Sequence, residues 1–341
     1  MIGISVVLLL SVSTAVAGLS PQFGVRTYPS SSSLYSTTGS EEETPKLALL
    51  TFDLDDTLFP VMSVVFDADV AMIQAFHAAG YPKATDTNIL RHTKAIQRKS
   101  KRRMTYTELR KRAIQQELEF FSMPGDVVNY DLVHDIYNAW LDERHRSAER
   151  NLFVGAIDML NKIKEKYPHV CIAAITNGRG NPLFMNSTLA PYFDFCISGE
   201  DDKIFPERKP QKGIFKACIA AYHERYPRSL TVNSHVWCHV GDCLANDVWG
   251  SSRNGAHAVW IELEELKKST DSQASAGGQP PWSTLSPRHA NSRRKLGSKG
   301  MKDVSEKISR LNELPNAIEK ILEKQNIKNA FLRSRGLDNK G

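Results

Sequence analysis

Residues 47–52, Leu-Ala-Leu-Leu-Thr-Phe, form a continuous apolar run that stops at Asp53-Leu54-Asp55-Asp56-Thr57. A short run with no apolar–polar alternation is the pattern of a β-strand buried on both faces, as found in parallel sheets. Three more such runs follow at 170–176, 235–240 and 256–261, with a shorter one at 195–198. Helical patterns at 156–167 and 212–222 stand between them. Strand and helix in alternation predict an α/β fold with a Rossmann-like, doubly wound parallel sheet. Such sheets bind ligands beyond the carboxyl ends of their strands. Three of the five expected strands end in polar chemistry: Asp53, Thr176-Asn177 and Gly241-Asp242.

The alternation breaks between the first two strands. Residues 61–151 hold no convincing strand, and apolar residues recur at helical spacing in 64–79, 106–121 and 132–141. Gly80-Tyr81-Pro82 and Met123-Pro124-Gly125 mark turns. This segment is expected to be a helical cap over the strand ends. The core is expected from 46–60, 152–265 and 302–325. Residues 266–301, rich in Ser, Gly, Pro, Lys and Arg, are expected to be a disordered insertion, with 326–341 as a tail.

Residues 1–45 read as an address. An apolar run from Ile4 ends in Ala15-Val16-Ala17, the small-x-small pattern of a signal-peptidase site, and is too short to span a bilayer. The stretch 18–40 that follows is rich in Ser and Thr and free of acids, which is transit-peptide composition. Together they resemble the two-part presequence of algal plastids reached through the secretory route. A plastid location is therefore expected, with the secretory pathway or secretion as the alternative. Five cysteines, an odd number, argue for a reducing compartment and against a disulfide framework. Cys238, His239 and Cys243 do not complete a zinc set, since strand neighbours point to opposite faces. The net charge of +6 is mild and gathers in 91–112 and 288–302. These stretches read as a solvated helix face and a loop, so no nucleic-acid partner and no stable membrane span are expected. The sequence leaves the oligomeric state open.

A phosphate monoester repels nucleophiles, so its hydrolysis requires counter-charge, an aligned nucleophile and a proton for the leaving oxygen. Asp53, at a strand end, is suited to in-line attack as a carboxylate nucleophile. Asp55, two residues on, is suited to general acid–base work. Carboxylates this close call for a cation, and Mg²⁺ fits an all-oxygen site. Asp242 and Asp247, in Gly-Asp-Cys-Leu-Ala-Asn-Asp, supply further acids, so the expected metal set is Asp53, Asp55, Asp242 and Asp247. Thr176 and Asn177 are placed to hydrogen-bond phosphoryl oxygens, and Lys209 to balance the charge of the transferring group.

These four segments resemble the motifs of the haloacid dehalogenase superfamily, in its phosphatase branch. Phe52 to Leu58 is similar to the first motif, Thr176-Asn177-Gly178 to the second, Lys209 to the third, and Asp242 with Asp247 to the fourth. The segment after Asp53 resembles the subclass I cap. The likeness covers 47–263, and 308–322 resembles the closing segment of the core, whereas 266–301 departs from the pattern. Family members that cleave carbon–halogen bonds lack an acid at the position of Asp55, so the resemblance implies a Mg²⁺-dependent phosphatase of a small-molecule phosphate ester. Phe-Asp-Leu-Asp-Asp-Thr-Leu, Ala174-Ile175-Thr176-Asn177-Gly178 and Gly-Asp-x4-Asp-Val are similar to enzymes that dephosphorylate flavin mononucleotide or ribitylamino-uracil phosphate. Two alternatives stay open: a phosphomutase on the same fold, and a catalytically silent binding or regulatory protein.

Overall fold

The computed structural model describes residues 44–122, 129–226, 230, 234–264 and 287–335. Six described strands form one parallel sheet: β1 (Lys46–Phe52), β2 (Cys171–Thr176), β3 (Phe195–Ser198), β4 (His235–Gly241), β5 (His257–Ile261) and β6 (Val304–Ile308). Their order is β3-β2-β1-β4-β5-β6, which puts β1 and β4 side by side at the centre. The expected α/β fold with a doubly wound, Rossmann-like sheet is the observed one.

Side chains alternate across each strand, so a central strand feeds two cores. Leu50, Phe52, Val236, Cys238 and Val240 pack on one face with α5 (Ala156–Lys166) and α9 (Leu314–Ser334). Leu49, Ile175 and Trp237 pack on the other with Phe215, Cys218 and Tyr222 of α6 (Lys212–Arg225). That double burial explains why β1 and β4 lack alternation in the sequence.

Four helices stand between β1 and β2: α1 (Val61–Ala78), α2 (Asp86–Lys99), α3 (Tyr106–Phe121) and α4 (Tyr130–Arg150). They enclose a core of their own that includes Met72, Phe76, Ile114, Leu118, Ile136 and Trp140. The helix α1 has the length and hydropathy of a membrane span, with mean hydropathy 1.3 over 18 residues. It turns Val64, Val65, Ala68, Met72 and Phe76 inward. The helix α2 is not among the apolar patterns read from the sequence; its buried stripe, Ile89, Thr93 and Ile96, has helical spacing but only two apolar members.

The four-helix unit meets the sheet through a charged cap. Thr105 accepts from Glu108 N at the start of α3 (3.0 Å), the Thr-x-x-Glu spacing of a capping box. The next two amides, of Tyr106 and Thr107, donate to the carboxylate of Glu200, just past β3, at 2.9 and 2.8 Å. A carboxylate there also faces the positive end of the helix dipole.

Two segments differ from expectation. Of the insertion expected to be disordered, 266–286 lies outside the described residues, but 287–300 forms a helix, α8 (Pro287–Gly300). Its last turn packs on a π-helical turn at Leu244–Val248. A Cβ at Gly300 would lie 2.2 Å from the Leu244 carbonyl oxygen, so the helix touches that turn through glycine instead of an apolar stripe. Composition therefore looks disordered where the packing is close. Likewise α9 continues to Ser334, into the expected tail. Its later turns bury Gln325 and Asn329, bonded to each other at 2.9 Å, and so carry no apolar period.

Glu200→Ala removes two charge-assisted bonds to the α3 amides and should cost about 2–4 kcal/mol. Chemical denaturation reads the loss, and hydrogen exchange should rise first at Tyr106 and Thr107.

Candidate active site

Asp53 directly follows β1, and its amide extends the sheet by donating to Val240 O of β4 (2.8 Å). The chain then turns tightly. Asp56 takes a left-handed conformation, φ 60°, which Asp tolerates better than most side chains, and its carboxylate accepts from Val61 N at 2.9 Å to start α1. On the neighbouring strand, Asp242 follows β4, and its carbonyl accepts from Trp260 Nε1 at 2.9 Å. Asp247 lies in the π-helical turn and folds back over the strand end, where Cys243 N donates to its Oδ2 at 3.0 Å. That fold-back is the physical reason for the Gly in Gly-Asp: a Cβ at Gly241 would meet Asp247 Cγ at 2.4 Å.

Carboxylate oxygens of Asp53, Asp242 and Asp247 all lie within 4.8 Å of one another. Lys209, 4% exposed, sits among them with Nζ 2.7 Å from both Asp53 Oδ1 and Asp247 Oδ1. Asn177 Nδ2 donates to Lys209 O (3.1 Å), tying the second strand end to the lysine loop. Thr176, buried, closes β2 and accepts from Gly178 N at 3.1 Å. Thus Asp53, Asp242, Asp247, Lys209, Thr176 and Asn177 gather at the carboxyl ends of β1, β2 and β4.

Asp55 differs from expectation. The sequence placed it in the metal set, yet its carboxylate stands outside the cluster of three. It is held by Arg144 of α4, whose Nη2 lies 2.7 Å from Oδ1 and 3.0 Å from Oδ2. Arg144 itself is only 3% exposed, and its Nη1 has no acceptor among the described residues. Sequence reasoning missed this arginine. A signal was present: Tyr137, Trp140, Arg144 and Ala148 follow the buried stripe of α4, so a charge stands at a core position. Of the basic stretch 91–112, Arg110 reaches the same cleft, where it lies over the Trp140 ring at 3.7 Å. The cleft, of about 130 Å³, is lined by Asp55, Arg110, Tyr137, Trp140, Arg144 and Gly178 among others. A larger cavity of about 550 Å³ adjoins Asn177 and Lys209 and is walled by the end of α2, the 100–105 linker, the start of α3 and Leu296 of α8.

The electrostatics follow from burying three carboxylates with one lysine. Burial pushes Asp53 up to about 7, Lys209 pulls it down, and the charges of Asp247 and Asp55 push it up again. Asp242 is raised by burial and then by Asp247 and Asp53. Burial opposes the charge on Asp247 as well, but Lys209 and His239 hold it down at about 2. Lys209 is raised despite burial, because Asp247 and Asp53 favour its ammonium form. The lysine therefore pairs with Asp247, while Asp53 and Asp242 are driven toward their protonated forms; a divalent cation would let both ionise. Cys238 and His239 face opposite sides of β4: Cys238 packs in the α5/α9 core and His239 against Phe215 of α6.

No protein-family model matches the chain. The solved structure of a 2-haloacid dehalogenase from Pseudomonas syringae pv. Tomato DC3000 has the same fold. Its TM-score is 0.53 at 20% identity, over 80% of this chain and 99% of that one. A HAD phosphatase structure from Thermococcus onnurineus aligns at TM-score 0.40 and 17% identity, over 80% of this chain and 98% of that one. This sheet with its four-helix insertion is the fold of that dehalogenase, and acids stand at both central strand ends. Among curated proteins it is similar to the 5-amino-6-(5-phospho-D-ribitylamino)uracil phosphatase YigB of Escherichia coli (strain K12). The two are 25% identical over 236 residues, 67% of this chain and 90% of that protein.

The raised Asp53 has a sign that can be measured. Its folded form binds the proton more tightly than the unfolded chain, so that stabilisation is full below 3.8 and is lost as pH rises through about 7. In EDTA the melting temperature should therefore fall as pH rises from about 4 to about 7 and level off above that. Asp53→Asn should flatten that slope, and a slope unchanged in the variant would count against a raised Asp53.

Proposed function

We propose that the protein is a Mg²⁺-dependent phosphomonoesterase that works through an aspartyl-phosphate on Asp53. The observation that carries this reading is the triad of Asp53, Asp242 and Asp247 around one buried lysine, with Asp55 two residues beyond the nucleophile. The donor set fits the ion: carboxylate oxygens only, close together, with more carboxylates than Lys209 balances. Asp53 and Asp242 would hold Mg²⁺, with Asp247 beside them. Bound there, the ion would supply charge neutralisation for the nucleophile and the phosphoryl oxygens.

The chain's own groups supply the rest. Lys209 binds one oxygen of Asp53 and leaves the other for in-line attack on phosphorus. Thr176 and Asn177 stand where the equatorial oxygens of the phosphoryl group need donors. Asp55 gives a proton to the leaving oxygen, and takes one from water when the aspartyl-phosphate is hydrolysed. Arg144 orients the Asp55 carboxylate, so the cap reaches the chemistry directly. The cap and its cleft select the leaving group.

For the substrate we propose a flavin-pathway phosphate, ribitylamino-uracil phosphate or flavin mononucleotide. Similarity to the curated uracil phosphatase over 90% of its length supports this choice. The plastid address expected in 1–45 suits that chemistry. A fluorescent protein fused behind these residues should collect in plastids, and secretion of the fusion would overturn the address.

Purified protein with Mg²⁺ should release inorganic phosphate from p-nitrophenyl phosphate, and EDTA should stop it. Asp53→Asn should abolish turnover, and Asp55→Asn should lower kcat by roughly 10²–10⁴. Activity surviving in Asp53→Asn would sink the aspartyl-phosphate mechanism. Phosphate retained on the product instead of released would identify a mutase.

A further inference from the structure

Behind the acid cluster, on the α6 side of the sheet, a chain of buried polar groups leads away from the site. Trp237 Nε1 donates to Thr51 Oγ1 at 2.9 Å. An indole N–H only donates, so the threonine oxygen accepts there and has one proton to give. Two acceptors are in reach of it: His239 Nδ1 at 2.8 Å and the Cys238 carbonyl at 3.3 Å. Across the ring Asp247 Oδ1 can only accept, so His239 meets it with an N–H and Nδ1 takes the threonine proton. A ring nitrogen that accepts carries no hydrogen, so the imidazole proton is on Nε2, which faces Asp247 Oδ1 at 3.4 Å. The same Oδ1 lies 2.7 Å from Lys209 Nζ, and that ammonium lies 2.7 Å from Asp53.

We propose that His239 is a positioning residue for the reaction: held as the Nε2–H tautomer by Thr51 and Trp237, it fixes Asp247 Oδ1 and through it the placement of Lys209 against the nucleophile. Three features make this more than core packing. His239 is 1% exposed, on the strand face it shares with Trp237 and against Phe215, so a polar ring there has a cost that its two partners offset. The edge of its ring packs on Phe215 at 5.9 Å between centroids, which sets the ring plane. Asp247 has its other oxygen bound by Cys243 N, so His239 and Lys209 share the one that matters for charge. At 3.4 Å the His239 contact is long, which suits orientation of the carboxylate more than neutralisation of it.

The proposal rests on the phosphatase reading for its kinetic consequence but not for its structural one, so the two can fail separately. Two-bond ¹H–¹⁵N spectra of the full chain, labelled at histidine, report the tautomer of His239 without turnover. The expected state is Nε2–H, with the pattern lost in Thr51→Val; an Nδ1–H ring in the wild type overturns the proposal. Kinetics then use the reach of side-chain amides. Glutamine places an N–H where Nε2–H stands, whereas asparagine reaches only as far as Nδ1. His239→Asn and His239→Phe should lower kcat on p-nitrophenyl phosphate by roughly 10–100-fold with KM within about threefold, and His239→Gln should recover most of it. Equal kcat in all three variants overturns the positioning role. If a variant does not fold, the wild-type spectrum still decides. If the wild type releases no phosphate, the phosphatase reading falls and the tautomer remains testable.

Discussion

A buried ammonium between two carboxylates is the constraint around which this molecule is arranged. Lys209 touches Asp53 and Asp247 equally, and Asp242 stands within reach of both acids. Charges in such a setting are stable only if geometry is tight, because each was taken out of water at several kcal/mol. The sheet supplies that tightness. β1 and β4 are adjacent and parallel, so their carboxyl ends deliver Asp53 and Asp242 to the same point. Gly241 lets Asp247 close over them. The site is therefore destabilised by its own charge and held by the rest of the fold, a balance common at functional sites.

The parallel core was legible because strands buried on both faces are written as unbroken apolar runs, and the acids stand at their ends. Asp53, Thr176 and Asp242 were placed for that reason, Lys209 and Asp247 by the residues around them, and the structure gathers all five. What sequence could not show was pairing across the cap boundary. Asp55 was read as a companion of the metal acids, but Arg144, 89 residues away, takes its carboxylate. Periodicity also failed where contact is made by small or polar groups. The stripe of α2 has only two apolar members, α8 packs through glycine, and the end of α9 buries an amide pair.

Two charged contacts join the helical unit to the sheet layer at the site: Arg144 on Asp55, and Glu200 at the head of α3. One comes from the cap to the core, the other from the core to the cap. Both involve carboxylates of the core, so the electrostatics of the cleft and the seating of the cap are parts of one network. The aromatic wall of Tyr137 and Trp140 is carried on the same helix as Arg144. A change of shape on that wall therefore acts along α4 toward the Arg144–Asp55 pair.

The helix α8 bears on the Leu244–Val248 turn at van der Waals range, with the Gly300 backbone against the Leu244 carbonyl. Asp247 belongs to that turn. The helix whose composition reads as loose is thus the buttress of the acid-bearing turn. Trimming the chain between β5 and β6 would do more than shorten a connection. It would take away the wall against which the acid-bearing turn is set, and the turn would need another.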